Sequence, residues 1–168
     1  EGMVYVYYGE GFDDVADLKF KGENLLDYFG YTLCFCPDVN GDGYPELVVG
    51  APLYSGAAGI GKIYLFYGGP GIDTTADLTF LCPTGNVEQF GYTIACGNLT
   101  GSASPDIAVG APYYFDGTNT VGRVYLFVDV SPTGASDTLI FQGSSGTGSD
   151  EFFGASLAVG KMDGNVDT

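Results

Sequence analysis

Short apolar runs recur along the chain, divided by clusters of Gly, Pro, Asn and Asp. No stretch sustains the 3.6-residue apolar period of an amphipathic helix, so the runs read as β-strands between tight turns. They fall into sets of four. One strand follows a Phe-Gly step, at residues 31–36, 92–96 and 155–159. A second precedes the tripeptide Gly-Ala-Pro, at 46–49 and 106–109. A third is an aromatic block at 3–8, 62–67 and 123–128, and a fourth lies at 18–21, 78–82 and 138–142. In the third, Ile63-Tyr64-Leu65-Phe66-Tyr67 is apolar at every position rather than at alternate ones. Such a strand has both faces buried, an environment that radially stacked sheets provide and a single two-layer sandwich does not.

The sets repeat in register. Phe29-Gly30, Phe90-Gly91 and Phe153-Gly154 lie 61 and 63 residues apart, and Gly50-Ala51-Pro52 and Gly110-Ala111-Pro112 lie 60 apart. Gly2-Met3-Val4-Tyr5-Val6-Tyr7-Tyr8-Gly9 returns as Gly61-Lys62-Ile63-Tyr64-Leu65-Phe66-Tyr67-Gly68, then as Gly122-Arg123-Val124-Tyr125-Leu126-Phe127-Val128. A fixed period of this kind marks a stacked repeat architecture. The predicted fold is all-β: a propeller-type stack of four-stranded antiparallel blades, incomplete and not a closed ring on its own. The limits expected are a partial blade at 1–28, blades at 29–89 and 90–152, and a second partial blade at 153–168.

Composition agrees with strands: 28 glycines, 12 phenylalanines and 13 tyrosines among 168 residues. The 21 acidic residues face 5 basic ones, for a net charge of −16. A surface this acidic repels phosphate backbones and anionic lipid, which argues against nucleic acid as a partner. No apolar run approaches membrane-spanning length, so direct membrane insertion is not expected. With no histidine, no nucleophile-and-base pair and no phosphate-cradling glycine loop, the chain reads as a non-enzyme. Its four cysteines, Cys34, Cys36, Cys82 and Cys96, are candidates for disulfides in an oxidising compartment. Cys34 and Cys36 share one strand face and are too close to pair easily with each other, and spacing alone leaves the pairing open. The other reading is four free buried thiols, since cysteine packs as a small hydrophobe.

One loop carries metal chemistry. Asp38-Val39-Asn40-Gly41-Asp42-Gly43-Tyr44-Pro45-Glu46 places oxygen side chains at positions 1, 3 and 5, glycine at 6 and a carboxylate at 9. Calcium takes six to eight hard oxygen ligands, and this loop offers Asp38, Asn40, Asp42 and Glu46 together with the Tyr44 carbonyl. An EF-hand would carry glutamate at position 12, where Val49 stands, and would be flanked by helices. The second copy puts Asn98, Thr100 and Ser102 in the ligand positions and keeps only Asp106 charged, which predicts a hydrogen-bonded turn. Asn98-Leu99-Thr100 is also an N-glycosylation sequon. The third copy, Lys161 to Thr168, begins with lysine and stops before its ninth position.

Phe-Gly, the calcium loop, Gly-Ala-Pro and Gly-x-Val-Tyr-x-Phe at this period resemble the FG-GAP repeats of integrin α-subunit N-terminal propellers. The resemblance covers nearly the whole chain. It implies four-stranded blades, calcium in the loop between a blade's first two strands, and extracellular or cell-surface adhesion or scaffolding. On that basis the calcium ligands fall on Asp38, Asn40, Asp42, Tyr44 and Glu46.

Two roles follow. The chain is a structural or adhesion module whose partial blades pair with other copies of itself, building a ring or filament. Alternatively it is a fragment of a larger propeller that binds an extracellular protein or glycan through loops such as 55–60 and 115–121.

Overall fold

The computed structural model describes residues 2–9, 14–55, 59–144 and 150–160. Ten strands form three antiparallel sheets: β1 (Met3–Val6), β2 (Leu18–Lys21), β3 (Thr32–Cys36), β4 (Glu46–Ala51), β5 (Lys62–Phe66), β6 (Leu78–Leu81), β7 (Thr93–Gly97), β8 (Asp106–Ala111), β9 (Arg123–Val128) and β10 (Asp137–Gln142). β1 pairs with β2, and the two four-stranded sheets run β3-β4-β5-β6 and β7-β8-β9-β10, each strand beside its neighbour in sequence. Four-stranded antiparallel sheets that do not close into a ring are the fold class that the repeat predicts.

The uniformly apolar third strand behaves as expected where neighbours cover it: β5 is buried at every position. Alternate residues of β4 and β5 feed two separate cores. Val48, Ile63 and Leu65 pack with Ile107, Val109, Tyr125 and Phe127 of the next sheet. Leu47, Val49, Tyr64 and Phe66 face the other way, onto Val4 and Phe20 of the half-blade. β1 departs from the pattern. Met3 and Tyr5 are exposed while Val4 is buried, because among the described residues only one of its faces has a sheet against it. The expected extension of that strand to residues 7 and 8 is not formed.

The two motifs lock neighbouring repeats together. At Phe29-Gly30 and Phe90-Gly91 the chain makes tight turns, closed by Tyr31 N–H to Tyr28 C=O at 3.0 Å and Tyr92 N–H to Gln89 C=O at 3.2 Å. Gly30 and Gly91 have φ of 86° and 90°, as the third position of a type II turn requires. The preceding Tyr28 and Gln89 also sit at positive φ, 58° and 55°. A side chain on Gly50 or Gly110 would collide with the carbonyl oxygen of Gly91 or Gly154, one repeat further on. A side chain on Gly61 or Gly122 would likewise strike the backbone of Phe90 or Phe153. The Phe29 and Phe90 rings then fill the cores edge-on, 5.2 Å from Tyr64 and 5.4 Å from Tyr125 respectively.

The third Phe-Gly step makes the same turn, with Gly154 at φ 87° and Phe153 N–H bonded to Val121 C=O at 3.0 Å. The strand expected at 155–159 does not follow it. A first strand is held by a second strand on its edge, and among the described residues this segment has none. The Phe153 ring is accordingly 42% exposed, against 3% for Phe29 and 0% for Phe90.

Candidate functional site

In the loop between β3 and β4, Asp38 is the hub of a turn. Its Oδ1 accepts from the amides of Gly41 at 2.6 Å and Asp42 at 3.1 Å, and its Oδ2 from Gly43 at 2.7 Å. Those bonds, led by the one from Gly43, hold its carboxyl below the usual carboxylate range. Asn40 Oδ1 and Asp42 Oδ1 accept from the amides of Asp42 and Tyr44, and Asn40 Nδ2 donates to Asp42 Oδ2 at 2.9 Å. Asn40 and Asp42 border a polar hollow of about 260 Å³, whose opposite wall carries Asp73 and Asp77. Asp38, Asn40, Asp42 and the Tyr44 backbone thus belong to one hydrogen-bonded loop.

Glu46 stands apart. It is fully buried at the start of β4, and its Oε1 and Oε2 accept from Val39 N–H at 2.9 Å and Gly68 N–H at 2.8 Å. The degenerate loop repeats this feature. Asp106 is also fully buried and accepts from the amides of Leu99 at 2.7 Å, Thr100 at 2.8 Å and Asp129 at 2.9 Å. Burial would raise the Asp106 carboxyl, but the amides of Asp129, Leu99 and Thr100 outweigh it and hold it below its ordinary value. The ninth-position carboxylate is therefore a clamp in both copies. It ties the loop between the first two strands to the turn after the third.

The remaining ligand positions of the second copy form a hydrogen-bonded turn. Asn98 Oδ1 accepts from Gly101 N–H at 2.6 Å, its Nδ2 donates to the Ser102 carbonyl, and Ser102 Oγ donates to Asp129 Oδ1. Asn98 is exposed. The third copy, 161–168, lies outside the described residues, as do 56–58 of the first candidate recognition loop. The second such loop is a small hairpin with a Phe115–Thr120 bridge, and its Phe115 is exposed.

Two features escaped the sequence reading. The first is a cation in each full blade, Lys62 buried and Arg123 partly so. Lys62 bonds Glu23 at 2.5 Å and lies 4.6 and 4.5 Å from the Tyr54 and Tyr64 ring centres. Arg123, at the matching position, bonds Glu88 at 3.1 Å and covers the Tyr114 ring at 3.3 Å. Glu88 is fully buried and also accepts from Thr84 and Tyr125 hydroxyls at 2.8 and 2.5 Å. Burial first, and then that bond to Glu88, push the Tyr125 hydroxyl well above its ordinary value. The signal was available: two of only five basic residues fall at one position of the repeat.

The second is a row of aromatic rings crossing from repeat to repeat. Tyr28 stacks on Tyr31 at 6.4 Å, Tyr31 meets Tyr92 at 4.8 Å, Tyr92 meets Tyr113 at 5.9 Å, and Tyr113 meets Phe152 at 5.5 Å. All but the half-buried Tyr92 are exposed. Tyr31 and Tyr92 each follow a Phe-Gly step, and Tyr113 follows Gly-Ala-Pro.

The model of the FG-GAP repeat matches residues 29–66, which run from the first Phe-Gly turn to the end of β5. Residues 29–66 are an FG-GAP repeat. It is 33% identical to integrin alpha-5 of Xenopus laevis over 96% of its own length and 16% of that protein's. It is 38% identical to integrin alpha-PS2 of Drosophila melanogaster over 86% of the chain and 11% of the relative. Human integrin alpha-IIb is 37% identical over 67% of the chain and 11% of the relative. The FG-GAP chain therefore spans a small part of the length of these relatives, and its setting is theirs, extracellular or at the cell surface. No helix among its described residues is long and apolar enough to cross a membrane.

Proposed function

We propose that the chain is a non-enzymatic section of a larger integrin-like propeller that binds an extracellular protein or glycan through one face. The observation that carries this is the aromatic row, Tyr28 to Phe152, laid across three successive repeats. Exposed rings in sequence offer stacking surface to sugars and to cationic or apolar side chains at small entropic cost. The blades of that section are 29–89 and 90–152, with partial blades at 1–28 and 153–168. Calcium belongs to the loop at 38–46. The donors there are hard oxygens on one loop, and Asn40 and Asp42 share a polar hollow with Asp73 and Asp77. Asp38, Asn40, Asp42 and the Tyr44 carbonyl would hold the ion, with Glu46 ordering the loop from beneath. Asn98, exposed in the second loop, is where an N-glycan would attach.

The test is binding of the protein to an immobilised panel of purified extracellular-matrix proteins and to a glycan array, beside Tyr92→Ser. We expect at least one partner whose signal falls about tenfold or more in the variant, as loss of a central anchor does. Equal binding by both proteins, or none by either, removes the reading.

A second reading, blade completion between copies, has its own support. Leu33 and Phe35 of β3 are exposed, 49% and 67%, and Phe35 lines a cleft of about 610 Å³ with Val6, Leu18 and Leu47. That apolar flank is the surface a further pair of strands would cover. Sedimentation separates the two: a concentration-independent monomer rules out self-assembly and leaves the first reading standing.

A further inference from the structure

Cys34 on β3 and Cys96 on β7 sit on neighbouring sheets, 62 positions apart in sequence, with their Sγ atoms 3.3 Å from each other. The repeat does not predict this partner. In the alignment of the copies Cys96 corresponds to Phe35, while Cys34 corresponds to Ala95. The pair forms because the first strands of adjacent sheets pack against each other across the shared core. Cys36 is buried in that core, and Cys82 is engaged elsewhere, with Thr84 Oγ1 at 3.3 Å and the Tyr125 hydroxyl at 3.7 Å.

We propose that Cys34 and Cys96 form a disulfide that staples the first strands of two neighbouring blades, leaving Cys36 and Cys82 as thiols. A bond of about 2.05 Å is reached from this separation by small side-chain rotations. The oxidant is a disulfide of the glutathione type, available in an extracellular setting; the proposal rests on the family's location and on no ligand. Cys34 is the attacking sulfur. The hydrogen bond from Cys96 holds its thiol below the ordinary value against the opposing effect of burial. Bonds to Cys34 and Cys36, then burial, raise that of Cys96. The Cys34 thiolate attacks one sulfur of the oxidant and expels a glutathione thiolate. Cys96 then attacks the Cys34 sulfur of the mixed disulfide and expels the second. Two protein thiols lose two electrons and two protons, and one small-molecule disulfide becomes two thiols.

The bond links β3 and β7, two strands that pack against each other across the interface, so it closes a long loop in the unfolded chain and strengthens the contact between blades.

The test is peptide mapping of the purified protein after exposure to oxidised glutathione and alkylation under denaturing conditions. Chymotrypsin cuts after Phe35 and so separates Cys34 from Cys36. The expected product is a cross-linked peptide pair containing Cys34 and Cys96, with Cys36 and Cys82 alkylated. The denaturation midpoint should rise on oxidation of the wild type and stay fixed in Cys34→Ser. A Cys36–Cys96 or Cys36–Cys82 linkage, or four alkylated thiols, overturns the proposal. Mapping of the wild type decides it even where the serine variant folds poorly. A reduced protein that still binds the panel above separates this failure from failure of the ligand reading.

Discussion

Two carboxylates are held in their charged form by the groups that bond them, buried Asp106 by backbone amides and exposed Glu23 by a lysine. Asp106 and Glu23 are both held below their ordinary values of 3.8 and 4.5, the first by amides that overcome its burial and the second chiefly by its bond to Lys62. Each binds a proton more weakly in the folded state than in the unfolded one. Their stabilisation is therefore complete above the unfolded values and drains away as pH falls through the lower folded ones. The urea midpoint should drop between about pH 5 and about pH 2, and Asp106→Asn, which keeps the shape without the titrating charge, should drop less over that range. An unchanged pH profile in the variant would contradict the role given to Asp106. Sequence alone placed Asp106 as a remnant of a lost ligand set. Its clamp was not legible, because the three amides it binds come from two turns that only the folded sheet brings together.

At the scale of the element, the loop at 38–46 and the strand it leads into do different work. Glu46 belongs to the strand, and removing it leaves two buried amides unpaired. Glu46→Ala should cost about 2–6 kcal/mol whether calcium or EDTA is present, at about 1–3 kcal/mol per orphaned group. Asp42→Ala, on the exposed loop, should abolish the calcium-dependent rise in melting temperature and change the EDTA form by less than about 0.5 kcal/mol. Paired calorimetric scans measure both, and a calcium response that survives Asp42→Ala would end the metal assignment. The strands themselves were readable almost to the residue, since Gly, Pro and Asp punctuation bounds each one and their apolar runs match the burial of β4, β5, β8 and β9. The segment at 155–159 was misread for the same reason the others were read well. Its pattern is that of a first strand, but a strand is a relation between two segments, and pattern reports on one.

Across the whole molecule, protection should follow coverage. The sheet β3–β6 has a sheet against each face, whereas β1–β2 has one covered face and 150–160 is seated mainly by backbone bonds near Thr120 and Val121. In hydrogen exchange followed by mass spectrometry, amides of β4 and β5 should exchange slowest and those of β1, β2 and 150–160 fastest, by about a hundredfold or more. Uniform protection would mean that the stack opens only as one unit. The stacked order was legible because the period is fixed and the motifs are in register. The aromatic row was not, since it joins residues from different repeats; the cations Lys62 and Arg123 share a repeat position, but their partners Glu23 and Glu88 lie in the repeat before and do not follow from it.

The interlock of Gly50 with Gly91, and of Gly110 with Gly154, has a consequence for how such chains lengthen. Each repeat carries both the steric socket and the part that enters its neighbour's, so a tandem duplication copies a mating pair along with the blade. Every added unit arrives already fitted to the one before and the one after. Growth by whole periods then asks for no new surface to be invented, whereas gain or loss of half a period would leave a socket facing the wrong partner.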